Sequence, residues 1–142
     1  MRKIDKVIIH CTATPEDRWV NTLDLYKWHV LERGWSDVGY HYFIDLDGEV
    51  FNCRPIKRIG AHTKGQNENS IGIAYAGGLD ADGLACDTRN LKQKKALKQL
   101  LLQIKEEYKD IEFFGHNDFS SKKCPCFNVK TEYKNLGNEK NN

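Results

Sequence analysis

His116 and Cys124 stand in one short loop, while His10, a third soft ligand, ends an apolar run far upstream. If the three act together, the fold has to carry the end of that run to the loop, so it must be largely complete before the site exists. Two histidines and a cysteine suit Zn²⁺, whose catalytic sites typically keep three protein ligands and one position open for water. The loop, Gly115-His116-Asn117-Asp118-Phe119-Ser120-Ser121-Lys122-Lys123-Cys124-Pro125-Cys126, also carries cations beside the ligands. A second reading stands next to this one: His116 as an ordinary loop residue and the cysteines as incidental, since the pattern is not a paired C-x-x-C array.

A chain of 142 residues suits one domain able to bury a core without cross-links. The formal charge of +2 is too small to argue for nucleic acid. Lys92, Lys94, Lys95 and Lys98 are interleaved with Leu91, Leu97, Leu100, Leu101 and Ile104 at helical spacing, which makes the lysines a solvated face. The cysteines, Cys11, Cys53, Cys86, Cys124 and Cys126, are odd in number and irregularly spaced. That pattern favours reduced thiols over a disulfide framework. Met1 to His10 holds no signal-peptide core and no membrane span, so a protein made in the cytoplasm is expected.

Val7, Ile8 and Ile9 make Lys6 to His10 a buried strand, broken by the polar segment Thr12 to Asp17 with Pro15. Asn21 or Thr22 caps a helix reaching about Arg33, with Leu25, Trp28 and Leu31 or His29 inward, and Gly34 stops it. His41–Asp45 and Glu49–Cys53 form a hairpin about Leu46-Asp47-Gly48. Ile56 to Asn69 reads as a long surface loop, Ser70–Tyr75 as a strand, and Gly77 to Arg89 as a turn-rich stretch. Asn90 caps the strongest helix, Leu91–Tyr108, before a last strand, Ile111–Phe114. Asn128 starts a short helix through Tyr133. Strands interleaved with helices predict an α/β fold, a single domain over 1–134 with a central mixed β-sheet flanked by helices. Residues 135–142 are expected to be a polar, frayed tail.

Five ordered segments now matter together: Ile9-His10-Cys11-Thr12-Ala13-Thr14; Gly34 through Val38-Gly39-Tyr40-His41-Tyr42-Phe43; Gly60-Ala61-His62-Thr63-Lys64-Gly65; Asn69-Ser70-Ile71-Gly72-Ile73; and Gly115-His116 to Lys122-Lys123-Cys124-Pro125. In this order, over roughly Lys6 to Tyr133, the chain closely resembles the T7 lysozyme-like N-acetylmuramoyl-L-alanine amidases, a family that also includes the peptidoglycan recognition proteins. The resemblance implies a zinc amidase cutting between the N-acetylmuramic acid lactyl group and L-alanine of peptidoglycan or muropeptides. Its zinc ligands fall on His10, His116 and Cys124, with Cys126 in place of a small residue. Its catalytic residues fall on Tyr40 and Lys122. Members that only recognise peptidoglycan lack the zinc cysteine, so Cys124 argues for activity. The competing readings are a non-catalytic binding or regulatory module and a zinc peptidase cutting within the stem.

The chemistry needs these residue types independently of the resemblance. An amide carbonyl is a poor electrophile, which zinc can polarise while lowering the pKa of a bound water. Tyr40 can orient or help deprotonate that water, and Lys122 can stabilise the developing oxyanion. Read alone, Tyr40 would simply cap the core and Lys122 would be a solvated loop charge. His62, in a loop that borders the family's substrate groove, is a candidate for substrate binding, with Asn67 and Asn69 behind it. His41 is expected to be a packed or hydrogen-bonded core group, His29 a helix-surface residue, Cys11 a small buried thiol, and Cys53 and Cys86 packing residues. A monomeric phage or prophage lysis enzyme that reaches the wall through a pore made by another protein fits these features. An intracellular enzyme recycling muropeptides fits the missing signal too.

Overall fold

The strand β1 (Lys6–Cys11) buries every residue after its first and has a neighbouring strand on each side. The computed structural model describes residues 2–136, and in it β1 pairs in parallel with β5 (Ser70–Tyr75) and with β7 (Glu112–Gly115). Beyond β5 lies β3 (Tyr42–Ile44), parallel to it, and β4 (Val50–Asn52) closes that edge as the antiparallel arm of a hairpin. The order β4-β3-β5-β1-β7 is the mixed sheet expected from the sequence. Near-continuous Val and Ile in β1 fit its burial on both faces.

Alternation along β1 and β5 divides the two faces. Val7, Ile9, Cys11, Ile71, Ile73 and Tyr75 join one core with Leu97, Leu100, Leu101 and Ile104 of helix α2 (Leu91–Glu107). Asn90 and Gln93 form the capping box of α2, and the buried Gln93 amide also donates to the Ala76 carbonyl at 2.9 Å. The four lysines face solvent as expected, but Leu91, in the first helical position, is exposed too. On the opposite face Phe43 packs with Val20, Leu25, Val38 and Ala76. Asn21 caps α1 (Thr22–Tyr26), which continues as a π-helical segment, Lys27–Glu32.

Several expectations need correction. His29 is not on the helix surface; it is 5% exposed, while Leu31 is 67% exposed. His29 lies four residues after the buried Leu25, on the inward face, and the Gly39 amide donates to its Nδ1 at 2.9 Å, so burial leaves that nitrogen satisfied. Inside the segments read as a strand breaker and as turns, β2 (Thr14–Pro15) and β6 (Gly78–Leu79) pair as a small parallel ribbon. Cys86 is exposed rather than packed. Leu136, placed in the tail by its polar neighbours, packs into the α2 core. The rest of the expected tail, 137–142, lies outside the described residues.

Candidate metal centre and active-site cleft

The ends of the parallel strands β1 and β7 lie side by side, and they deliver the first two donors. His10 sits near the end of β1 on the face opposite α2, and His116 begins a 3₁₀ turn, His116–Asp118, directly after β7. Their ring centroids are 4.6 Å apart. The following loop folds back over the sheet. The Tyr75 hydroxyl donates to the Pro125 carbonyl at 2.6 Å, the Gly115 amide donates to Asp118, and the Asn117 amide donates to the Phe127 carbonyl. This brings Cys124 against β1, where its sulfur accepts from the Cys11 amide at 3.1 Å. One ligand atom each from His10, His116 and Cys124 lies within 4.8 Å of the others.

Electrostatics suits this donor set. Burial holds His10 well below the usual imidazole range, with His62, His116 and Lys122 acting in the same direction. His116 is lowered by burial and by Lys122. A hydrogen bond from the Cys11 thiol lowers the pKa of Cys124, helped by the Cys11 amide and the Lys122 charge. Neutral imidazoles and a thiolate are the protonation states a metal ion requires, so the residues fit a bound cation.

A cleft of about 230 Å³ opens over the cluster and is walled by Tyr40, His62, His116, Lys122 and Cys124. The Tyr40 ring is 5.2 Å from that of His10, and burial, with Cys124 and Cys11 nearby, pushes its hydroxyl pKa up. Across Thr12, His29 and Arg33 the cleft adjoins a second cavity of about 320 Å³, bounded also by Arg18 and Trp28.

The other expected site residues divide. His62 reaches the cluster, with its Nδ1 2.9 Å from His10 Nε2. Asn67 does not turn its amide oxygen to the cleft, since that oxygen accepts from the backbone amides of His62 and Thr63. Asn69 donates to the Lys3 carbonyl. His41 is fully buried, accepting from the Gly72 amide at Nδ1, with Nε2 2.8 Å from the Arg58 carbonyl. Sequence reasoning missed Thr63, whose hydroxyl lies 3.1 Å from His10 Nε2, because a threonine in a Gly-rich loop carries no signal of its own.

Residues 1–127 match the sequence profile described as N-acetylmuramoyl-L-alanine amidase. The chain belongs to the N-acetylmuramoyl-L-alanine amidase family. This family member is 36% identical over 126 residues to the endolysin of Escherichia phage T7, covering 89% of this chain and 83% of the relative. It is also 36% identical over 129 residues to the endolysin of Klebsiella phage KP32, covering 91% and 85%. Among solved structures, the amidase LysC from Clostridium intestinale URNW superposes with a TM-score of 0.78 at 25% identity, covering 94% of this amidase and 84% of LysC. PGRP-SA of the bumblebee superposes at 0.79 and 27% identity, covering 96% and 84%.

Proposed function

We propose that the protein is a zinc-dependent N-acetylmuramoyl-L-alanine amidase that hydrolyses the amide between the lactyl group of N-acetylmuramic acid and L-alanine in peptidoglycan. The observation that carries this reading is the convergence of His10, His116 and Cys124 within 4.8 Å, under a cleft that also presents Tyr40 and Lys122. His10, His116 and Cys124 would hold the ion. When bound, zinc polarises an amide carbonyl and acidifies water toward neutrality.

The remaining work falls to the chain itself. The Tyr40 hydroxyl, kept protonated by burial, offers a hydrogen bond into the cleft and can orient the attacking water or the carbonyl. The Lys122 side chain lines the cleft beside the cluster, and its ammonium can stabilise charge that develops on the carbonyl oxygen. The relatives named endolysins support a lysis role, in which the enzyme meets the wall after release through a pore-forming protein.

Digestion of purified peptidoglycan followed by mass spectrometry tests the reading. New alanine amino termini on an intact glycan are expected, with activity lost to a chelator and restored by zinc. Cleavage within the stem, or release of sugars with the lactyl amide intact, would overturn it.

A further inference from the structure

We propose that His62 and Ser70 are positioning residues that fix the tautomer of His10, leaving its Nδ1 lone pair as the one turned to the metal. The proposal rests on the zinc reading above and adds how that ligand is oriented. The direction of the hydrogen-bond chain is set at its far end. The carbonyl of Gln66 can only accept, and the Ser70 hydroxyl donates to it at 2.7 Å. Ser70 Oγ is then left to accept from His62 Nε2, 3.3 Å away, which places the His62 proton on Nε2. A neutral imidazole protonated there has a bare Nδ1, and that atom lies 2.9 Å from His10 Nε2. His10 must therefore carry its proton on Nε2 and donate it. Thr63 Oγ1, 3.0 Å from His62 Nδ1 and 3.1 Å from His10 Nε2, lies beside the same proton as a second acceptor. The nitrogen occupied by these bonds is closed to a cation, so the metal-facing atom is Nδ1.

The surroundings hold the relay in place. Asn67 clamps the backbone of both His62 and Thr63. Gly72 leaves the space the His62 ring fills, for a Cβ there would lie 2.5 Å from the ring. Two sequence segments with no evident task at the metal, Gly60–Gly65 and Asn69–Ile73, thus have a shared one. Partners of this kind typically tune metal affinity 10–100-fold.

Zinc affinity, measured on the full chain by competition with a chromophoric chelator, provides the test. His62→Ala should weaken zinc binding by roughly 10–100-fold. His62→Gln, whose amide oxygen can still accept from His10, should recover part of the loss, and Ser70→Ala should weaken binding by a smaller factor. Imidazole ¹⁵N spectra add a readout that general loosening would not move: His10 should carry its proton on Nε2 with and without zinc. Equal zinc affinity in wild type and His62→Ala, or a His10 proton on Nδ1, would overturn the proposal. So would a raised KM in His62→Ala with zinc affinity intact, which would give His62 to the substrate instead. If the wild type binds no zinc, the zinc reading fails, while the metal-free spectrum still decides the tautomer. Should His62→Ala not fold, Ser70→Ala and the spectrum carry the test.

Discussion

Replacing Gly72 by alanine is the sharpest probe of how the sheet and the centre fit together. Its φ lies outside the left-handed region, so alanine meets no backbone strain, and only space is at issue. The new Cβ would stand 2.5 Å from Cδ2 and 2.6 Å from Cγ of His62, where ordinary contact begins at 3.4 Å. The ring must retreat by about 1 Å, enough to break a 2.9 Å hydrogen bond to His10 under the usual distance limits. Overpacking costs about 1–3 kcal/mol, and lost hydrogen bonds add about 0.5–1.5 kcal/mol each. The lower chain entropy of alanine in the unfolded state offsets about 0.4–1 kcal/mol. A net destabilisation of about 2 kcal/mol follows, or a fall in Tm of roughly 4–8 °C for a domain near this size. The assay is a double-mutant cycle by urea unfolding. In a His62→Ala background the obstacle is gone, so Gly72→Ala should become neutral or slightly stabilising, with a coupling of about 2 kcal/mol. Equal cost in both backgrounds would refute the idea that Gly72 exists to admit this ring.

Tyr40→Phe should keep its zinc and lower turnover by about 10²–10⁴, and Lys122→Ala by about 10²–10³; unchanged turnover in both zinc-loaded variants would remove their assigned roles. Arg89, whose side chain is fully buried, makes a two-pronged bond to Glu132 at 2.8 Å, pairs with Asp87 and lies over Phe127. Arg89→Met should therefore cost about 2–4 kcal/mol in urea unfolding, and Arg89→Lys should restore little of it. The metal-free protein should be sensitive to acid, because burial holds His29 and His41 down at about 4. The unfolded chain binds more protons below pH 6.5, so stability is full above that value and declines as pH falls towards 4, by up to about 3 kcal/mol per histidine. A urea midpoint that stays flat from pH 7 to pH 4 would contradict this.

What could be read from the sequence was whatever a single segment announces by itself. Val7-Ile8-Ile9, the Asn90 cap and the apolar stripe of α2 are local signals, and each element formed within a residue or two of its expected bounds. That His10, His116 and Cys124 would come together was legible from the ordered motifs and from the soft-ligand chemistry of their side chains. The unread features depend on partners distant in the chain. His29 looks like a surface residue until the Gly39 amide is seen beside it, and nothing local to His62 announces that its ring lies within hydrogen-bond distance of both Ser70 and His10. Leu136 was hidden by polar neighbours, and the ribbon of β2 and β6 joins segments whose composition signals turns.

The placement of β1 between β5 and β7 also governs how the protein comes off the ribosome. Its first neighbour, β5, is made about sixty residues later and its second about a hundred residues later. At about 5–20 residues per second, the most apolar strand waits roughly 3–12 seconds before any partner exists. During that interval Val7, Ile8 and Ile9 are an adhesive segment without a strand partner; the β3–β4 hairpin can close in the meantime, but the centre cannot form. High-level synthesis should accordingly lose protein to aggregates before it loses activity per folded molecule, and slowing growth by cooling should recover soluble enzyme with that activity unchanged.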